Sequence, residues 1–126
     1  MHTNRSETRQ ISIQAPPDKV LDFVGDARKL PTWAPNFAET VEADGEHWIV
    51  NGELEIDLRV ERELGTVDIL RPRLPPTGAY SRVVPNGEGS EYLFTLFFPD
   101  GTPEEAITKQ MTVVEQELRT IRALCE

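Results

Sequence analysis

Few residues in this chain have both the type and the spacing that chemistry needs. The two histidines, His2 and His47, are far apart, and there is no His-x-x-x-His pair, Gly-rich phosphate loop or recognisable Ser/His/Asp order. His47 reads as an exposed strand residue more readily than as a base. Glu53, Glu55 and Asp57 alternate along a strand-like run, and Glu104-Glu105 open a helix-like one. A solvated sheet face and a helix N-terminus that favours negative charge account for both, so neither a metal nor a cofactor is expected. Cys125 is the only cysteine, which allows no intrachain disulfide, and it reads as packing rather than as a nucleophile. Arg71 is different. A lone guanidinium in apolar surroundings must find a carboxylate, reach water along its stem or meet an anionic ligand. Ser81 and Tyr92 can add directed hydrogen bonds. This set suits recognition of a mostly apolar molecule with a polar anchor. Proton transfer needs a buried ionisable group, and arginine is a poor proton carrier.

The bulk properties narrow the setting for that chemistry. At 126 residues, with 38% hydrophobic and 28% charged, the chain fits one domain with one core. Its 22 acidic against 13 basic residues give a net charge of −9, which repels phosphate backbones and anionic leaflets at long range, so no nucleic-acid partner is expected. No apolar run approaches the roughly 20 residues a spanning helix needs, so no membrane insertion is expected. The start, MHTNRSETRQ, lacks the apolar stretch of a signal peptide. A soluble cytoplasmic protein is the expectation; the oligomeric state is left open.

Turn dipeptides divide the chain into elements. Asp44-Gly45, Asn51-Gly52, Leu64-Gly65 and Asn86-Gly87 separate strand-like segments over 7–13, 37–43, 46–50, 53–63, 66–71, 78–84 and 90–98. Leu54, Ile56, Leu58 and Val60 alternate with Glu53, Glu55, Asp57, Arg59 and Glu61, giving the dry and wet faces of an antiparallel sheet covered on one side. Pro16-Pro17-Asp18 opens a short helix with Val20, Phe23 and Val24 on one face and Gly25 to end it. Asp26 caps a second short turn that Pro31 disrupts. The long helix begins at Thr102 as N-cap, with Pro103 and Glu105 behind it. Its apolar stripe is Ile107, Met111, Val114, Leu118, Ile121 and Cys125, and Glu115–Arg119 and Arg122–Glu126 are four apart on the outer side. The class is α+β: about seven antiparallel strands curled around a long C-terminal helix, with two short helices between the first and second strands. Such a sheet cannot close its concave side, so side chains or a ligand must fill the remainder.

Register follows from the turns. A two-residue turn at Asn86-Gly87 sets Arg82 opposite Glu91 and puts Ala79, Ser81 and Val83 on the face of Tyr92, Phe94, Leu96 and Phe98. A two-residue turn at Leu64-Gly65 sets Val60 opposite Ile69 and Leu58 opposite Arg71, aiming Arg71 into the apolar cup near its rim. Around the third strand the turns conflict: Asp44-Gly45 aligns Val41 with Trp48, whereas Asn51-Gly52 aligns Ile49 and His47 with Leu54 and Ile56. A buried aromatic contributes roughly 150–250 Å² at about 25 cal/mol per Å². Trp48 therefore goes inside with Val50, an extra residue falls at 51–53, and His47 lies outside opposite Glu42.

The run Ile11-Ser12-Ile13-Gln14-Ala15-Pro16-Pro17, with Val20, Asp22-Phe23 and the stretch Asp26-Ala27-Arg28-Lys29-Leu30-Pro31-Thr32-Trp33-Ala34-Pro35, resembles the START-like (SRPBCC) superfamily. That superfamily includes the birch-pollen-allergen type fold and the polyketide cyclase/dehydratase-like proteins. Gly89-Ser90-Glu91-Tyr92-Leu93-Phe94-Thr95-Leu96 and the final helix with Glu117-Leu118 look like the same group, so the likeness runs from about Ile11 to Leu124. It implies a helix-grip fold whose sheet curls about the long helix and leaves an apolar tunnel. Trp33, Trp48, Leu58, Arg71, Ser81, Tyr92, Phe94, Met111 and Val114 are the expected ligand-binding residues, with the segment 71–76 as rim. The expected function is binding of a small hydrophobic molecule, as carrier or sensor. The alternatives are a cyclase/dehydratase-like enzyme and a protein-interaction module. A ligand burying about 300 Å² of apolar area gains roughly 7–8 kcal/mol, and association costs of about 4–15 kcal/mol offset much of it, so tight binding requires polar anchors.

Overall fold

A computed structural model describes residues 1–73 and 78–126; of the expected rim, Leu74, Pro75 and Pro76 lie outside the described residues. The chain runs β1 (Arg5–Ile13), α1 (Pro17–Val24), a 3₁₀ turn (Ala27–Lys29), α2 (Leu30–Trp33), β2 (Val41–Asp44), β3 (His47–Val50), β4 (Leu54–Glu61), β5 (Thr66–Leu70), β6 (Gly78–Asn86), β7 (Gly89–Phe98) and α3 (Glu104–Cys125). The strands form one seven-stranded antiparallel sheet in the order β1-β7-β6-β5-β4-β3-β2. With α3 gripped by this sheet, the architecture is the helix-grip fold.

All six stripe residues of α3 are buried, in one core with Ile13, Ile56, Val67, Val83, Tyr92 and Phe94 from the sheet. The helix packs against β1, α1 and α2. Polar clamps run along β1: Arg5 pairs with Glu104, Arg9 Nε donates to Glu115 at 2.9 Å, and the Gln14 amide donates to Glu126 at 2.9 Å. These cross-element bonds replace the expected Glu115–Arg119 and Arg122–Glu126 pairs, because β1 brings partners closer than the next helical turn. The start of α3 also differs. Thr102 Oγ1 donates back to Pro99 O, and Pro103 is the capping residue, without a side-chain cap bond. Pro31 opens α2 instead of disrupting it, since a first-turn proline gives up only an N–H that had no helical partner. In α1 the buried face is Val20, Leu21 and Val24, with Phe23 half-buried.

Three hairpins sit two residues away from the expected register. The observed pairs are Val41↔Val50, Val60↔Val67 and Val84↔Glu91. Gly45 and Gly87 have φ of 62° and 59° while Glu46 and Glu88 do not share that sign. A glycine at the first central position followed by a residue at negative φ is the pattern of a type II′ turn, which moves the closing pair one residue toward the C-terminus on both strands, to Asp44↔His47 and Asn86↔Gly89. Arg82 consequently faces Leu93 and donates to Leu64 O, while Glu91 accepts from Ser12 and Asn86. Shifts of two keep every side chain on its face. Only Val60, 38% exposed, fails to be covered.

At β3–β4 the extra residue falls where the conflict between turns puts it. Val50↔Leu54 and Trp48↔Ile56 leave Asn51, Gly52 and Glu53 in the loop, and Trp48 faces inward beside the core. His47 pairs in register with Asp44 rather than Glu42, and its ring contacts Asp57 on the wet face. Asn51, at φ 55°, accepts from the Glu39 and Thr40 amides and donates to Phe37 O at 3.1 Å. It pins the segment that carries Phe37 and Ala38 from α2 into β2.

Candidate functional site

A cavity of about 260 Å³ lies between α2, the inner face of the sheet and α3. Leu30, Trp33 and Ala34 come from α2 and its end, Phe37 from the pinned segment, Ile56 and Ile69 from β4 and β5, Ala79 from β6, and Phe94 and Leu96 from β7. Leu30, Trp33, Ala34, Ile56 and Phe94 are buried and make its inner end. Arg71, Gly78, Phe97 and Gln110, exposed or half-exposed, stand where it opens.

The structure brings three of the nine expected site residues to this wall: Trp33, Arg71 and Phe94. Met111 and Val114 are fully buried in the core on the helix stripe. Tyr92 is also enclosed, and burial pushes its phenol above the usual range, with the Glu117 carboxyl adding to the effect and Ser81 opposing it. Ser81 Oγ donates to Val67 O at 2.6 Å within the sheet. Leu58 packs on the edge of the core, and Trp48 lies under the Arg28 guanidinium at 4.8 Å. Arg71 follows β5 directly, on the face of Ile69, and no carboxylate partners it among the described residues.

Two polar groups of the wall are unmatched. Trp33 Nε1–H is enclosed without an acceptor among the described residues. Glu117, on α3, is 8% exposed, and burial alone pushes its carboxyl up to about 7. Its isolation contrasts with the other carboxylates. The half-buried Glu7, Asp26, Glu55, Asp57, Asp68, Glu91 and Glu115 each accept from a cation, a hydroxyl or a backbone amide. Glu117 is a titratable group within an apolar cavity and supplies the ionisable position that proton transfer in such a space requires. Residue type and motif do not single it out, although it stands three residues after Val114 and four before Ile121, on the stripe itself.

Fold comparison places the chain among helix-grip proteins. An uncharacterised protein from Bacillus thuringiensis superposes with a TM-score of 0.71 at 15% identity, over 96% of this chain and 98% of that one. The KanY protein superposes at 0.72 and 15% identity over 98% and 99% of the two chains, and Ara h 8.0201 at 0.66 and 13% over 96% and 97%. No family model and no curated protein matches the sequence. At these identities the likeness is one of fold. Among the described residues no helix is long and apolar enough to cross a membrane.

Proposed function

We propose that the protein binds a small, mostly apolar molecule in the cavity between α2, α3 and the sheet, as a carrier or sensor. The observation that carries this reading is the apolar inner wall of Leu30, Trp33, Ala34, Ile56 and Phe94 around a space of about 260 Å³. A cavity of about 150 Å³ holds a benzene, so this one has room for about ten heavy atoms. Apolar contact alone then gives weak affinity, since association costs absorb most of the gain, and polar anchors decide selectivity. Native mass spectrometry of freshly purified protein, followed by a thermal-shift screen with aromatic ketones, short isoprenoids and fatty acids, tests the reading. A copurifying small molecule or a ligand-dependent shift supports it; neither, across the whole screen, removes it.

Glu117 favours a second reading, an enzyme of the cyclase/dehydratase-like kind. A carboxyl that titrates near neutrality can take and return a proton on a bound substrate. Turnover that disappears in Glu117→Gln while ligand still binds supports that reading; unchanged turnover in that variant rejects it.

A further inference from the structure

Glu117 is the one buried carboxyl among the described residues, it lines the cavity, and nothing there bonds to it. The charged groups on the elements packed against α3 are mostly engaged elsewhere. On β1, Arg5 and Arg9 are held by Glu7, Glu104 and Glu115. On α1, Asp18 and Asp22 hold Arg62, and Lys19 lies near Cys125. α2 carries no charged side chain. From the sheet, Tyr92 comes close and Arg71 stands at the opening.

We propose that the pocket selects uncharged carbonyl compounds of about ten heavy atoms, whose oxygen accepts a hydrogen bond from the protonated Glu117 carboxyl, and that ionisation of Glu117 releases them. The inference rests on the pocket reading above. A protonated carboxyl presents one O–H donor, and a carbonyl oxygen is the complement that leaves the rest of the ligand free to be apolar. An ammonium ligand matches the ionised form, but it must leave water for apolar walls with Arg71, a like charge, at the opening. A carboxylate ligand meets Arg71 favourably and then opposes Glu117. Since burial holds Glu117 largely neutral up to about pH 7, the donor is present below that pH and lost above it. An ionised carboxylate has only lone pairs to offer a carbonyl oxygen, so the bond that anchors the ligand becomes a repulsion.

The test uses three bicyclic probes of one shape: 1-tetralone, its hydrocarbon tetralin and 1-aminotetralin. Each is titrated at pH 6 and pH 8 into the wild-type protein and into Glu117→Gln, with calorimetry for affinity and the Trp33 indole N–H resonance as reporter of the cavity. At pH 6 the ketone should bind about tenfold tighter than the hydrocarbon, the worth of one buried hydrogen bond. That advantage should disappear at pH 8, and Glu117→Gln should hold one ketone affinity at both pH values. Equal binding of ketone and hydrocarbon at pH 6, with both moving the Trp33 resonance, overturns the carbonyl selection and leaves the apolar pocket standing. Tightest binding by the amine, stronger at pH 8, overturns it in favour of a cation site. Failure of all three to bind removes this proposal, while the pocket reading stands or falls on the copurifying molecule and the wider screen. The ketone–hydrocarbon comparison needs only wild-type protein, so a misfolded variant does not blunt it.

Discussion

At the scale of the residue, Glu117 and His47 show opposite ways of treating a charge. Glu117 is buried without a partner, so its carboxyl titrates at about 7 in the fold against an ordinary 4.5. Between those values the folded state holds more protons than the unfolded one, and stability falls as pH rises through the window. The penalty above pH 7 is about 3 kcal/mol. Denaturant unfolding at pH 4.5 and pH 8 should therefore show Glu117→Gln gaining on the wild type by about that amount at the higher pH; parallel pH profiles would contradict the assignment. His47 is raised instead by Asp57 beside it, on a half-exposed face. Its contribution is present below the ordinary imidazole range and lost as pH rises through the raised value. Asp57→Asn should lower the His47 midpoint in an NMR titration; an unmoved midpoint would show the pair to be idle in solution. Glu117 was legible in the sequence, since its spacing puts a carboxylate on an otherwise apolar helix stripe. A search by motif passes over it because one glutamate on a helix matches no pattern.

At the scale of the element, alternation and turn dipeptides locate all seven strands, and the stripe locates α3, because both patterns express burial on one face. The closing pair of each hairpin is less readable. Asp-Gly and Asn-Gly fit two turn geometries that differ by two residues in register, and the sign of φ at the Asp or Asn, positive in type I′ but not at Asp44 or Asn86, separates them. Gly65 shows how little freedom such a position has. It sits at φ 74°, its carbonyl accepts from the Val83 amide at 2.7 Å, and a Cβ there would lie 2.3 Å from Val83 O. Gly65→Ala should destabilise by at least about 2 kcal/mol in urea unfolding; a loss within a few tenths would show that the β4–β5 turn adapts. The clamps between α3 and β1 are partly exposed, and Arg9→Ala should cost under about 1 kcal/mol. Ile121→Ala, on the fully buried stripe, should cost about 2–5 kcal/mol.

At the scale of the whole molecule, the helix-grip architecture was readable from element order, yet most of the cavity wall was not. Periodicity assigns a residue to the inner face without saying whether a helix covers it. Met111 and Val114 point where α3 meets other side chains, while Glu117 and Gln110 flank the space that the helix leaves open. Trp48 is on the inner face too, but β3 lies beyond the cavity and Arg28 covers its ring. That division depends on how far each helix stands off the sheet, a quantity set by packing of the complete core.

The pocket is tested most directly by calorimetric titration of 1-tetralone at pH 6 into the wild type and into Ala79→Phe, whose ring would occupy the space beside Ile69. The expected result is saturable one-to-one binding with a negative heat-capacity change in the wild type, and its loss in the filled variant. Equal binding by both proteins would contradict a ligand held in this cavity, and no binding by either would contradict a carbonyl compound held there.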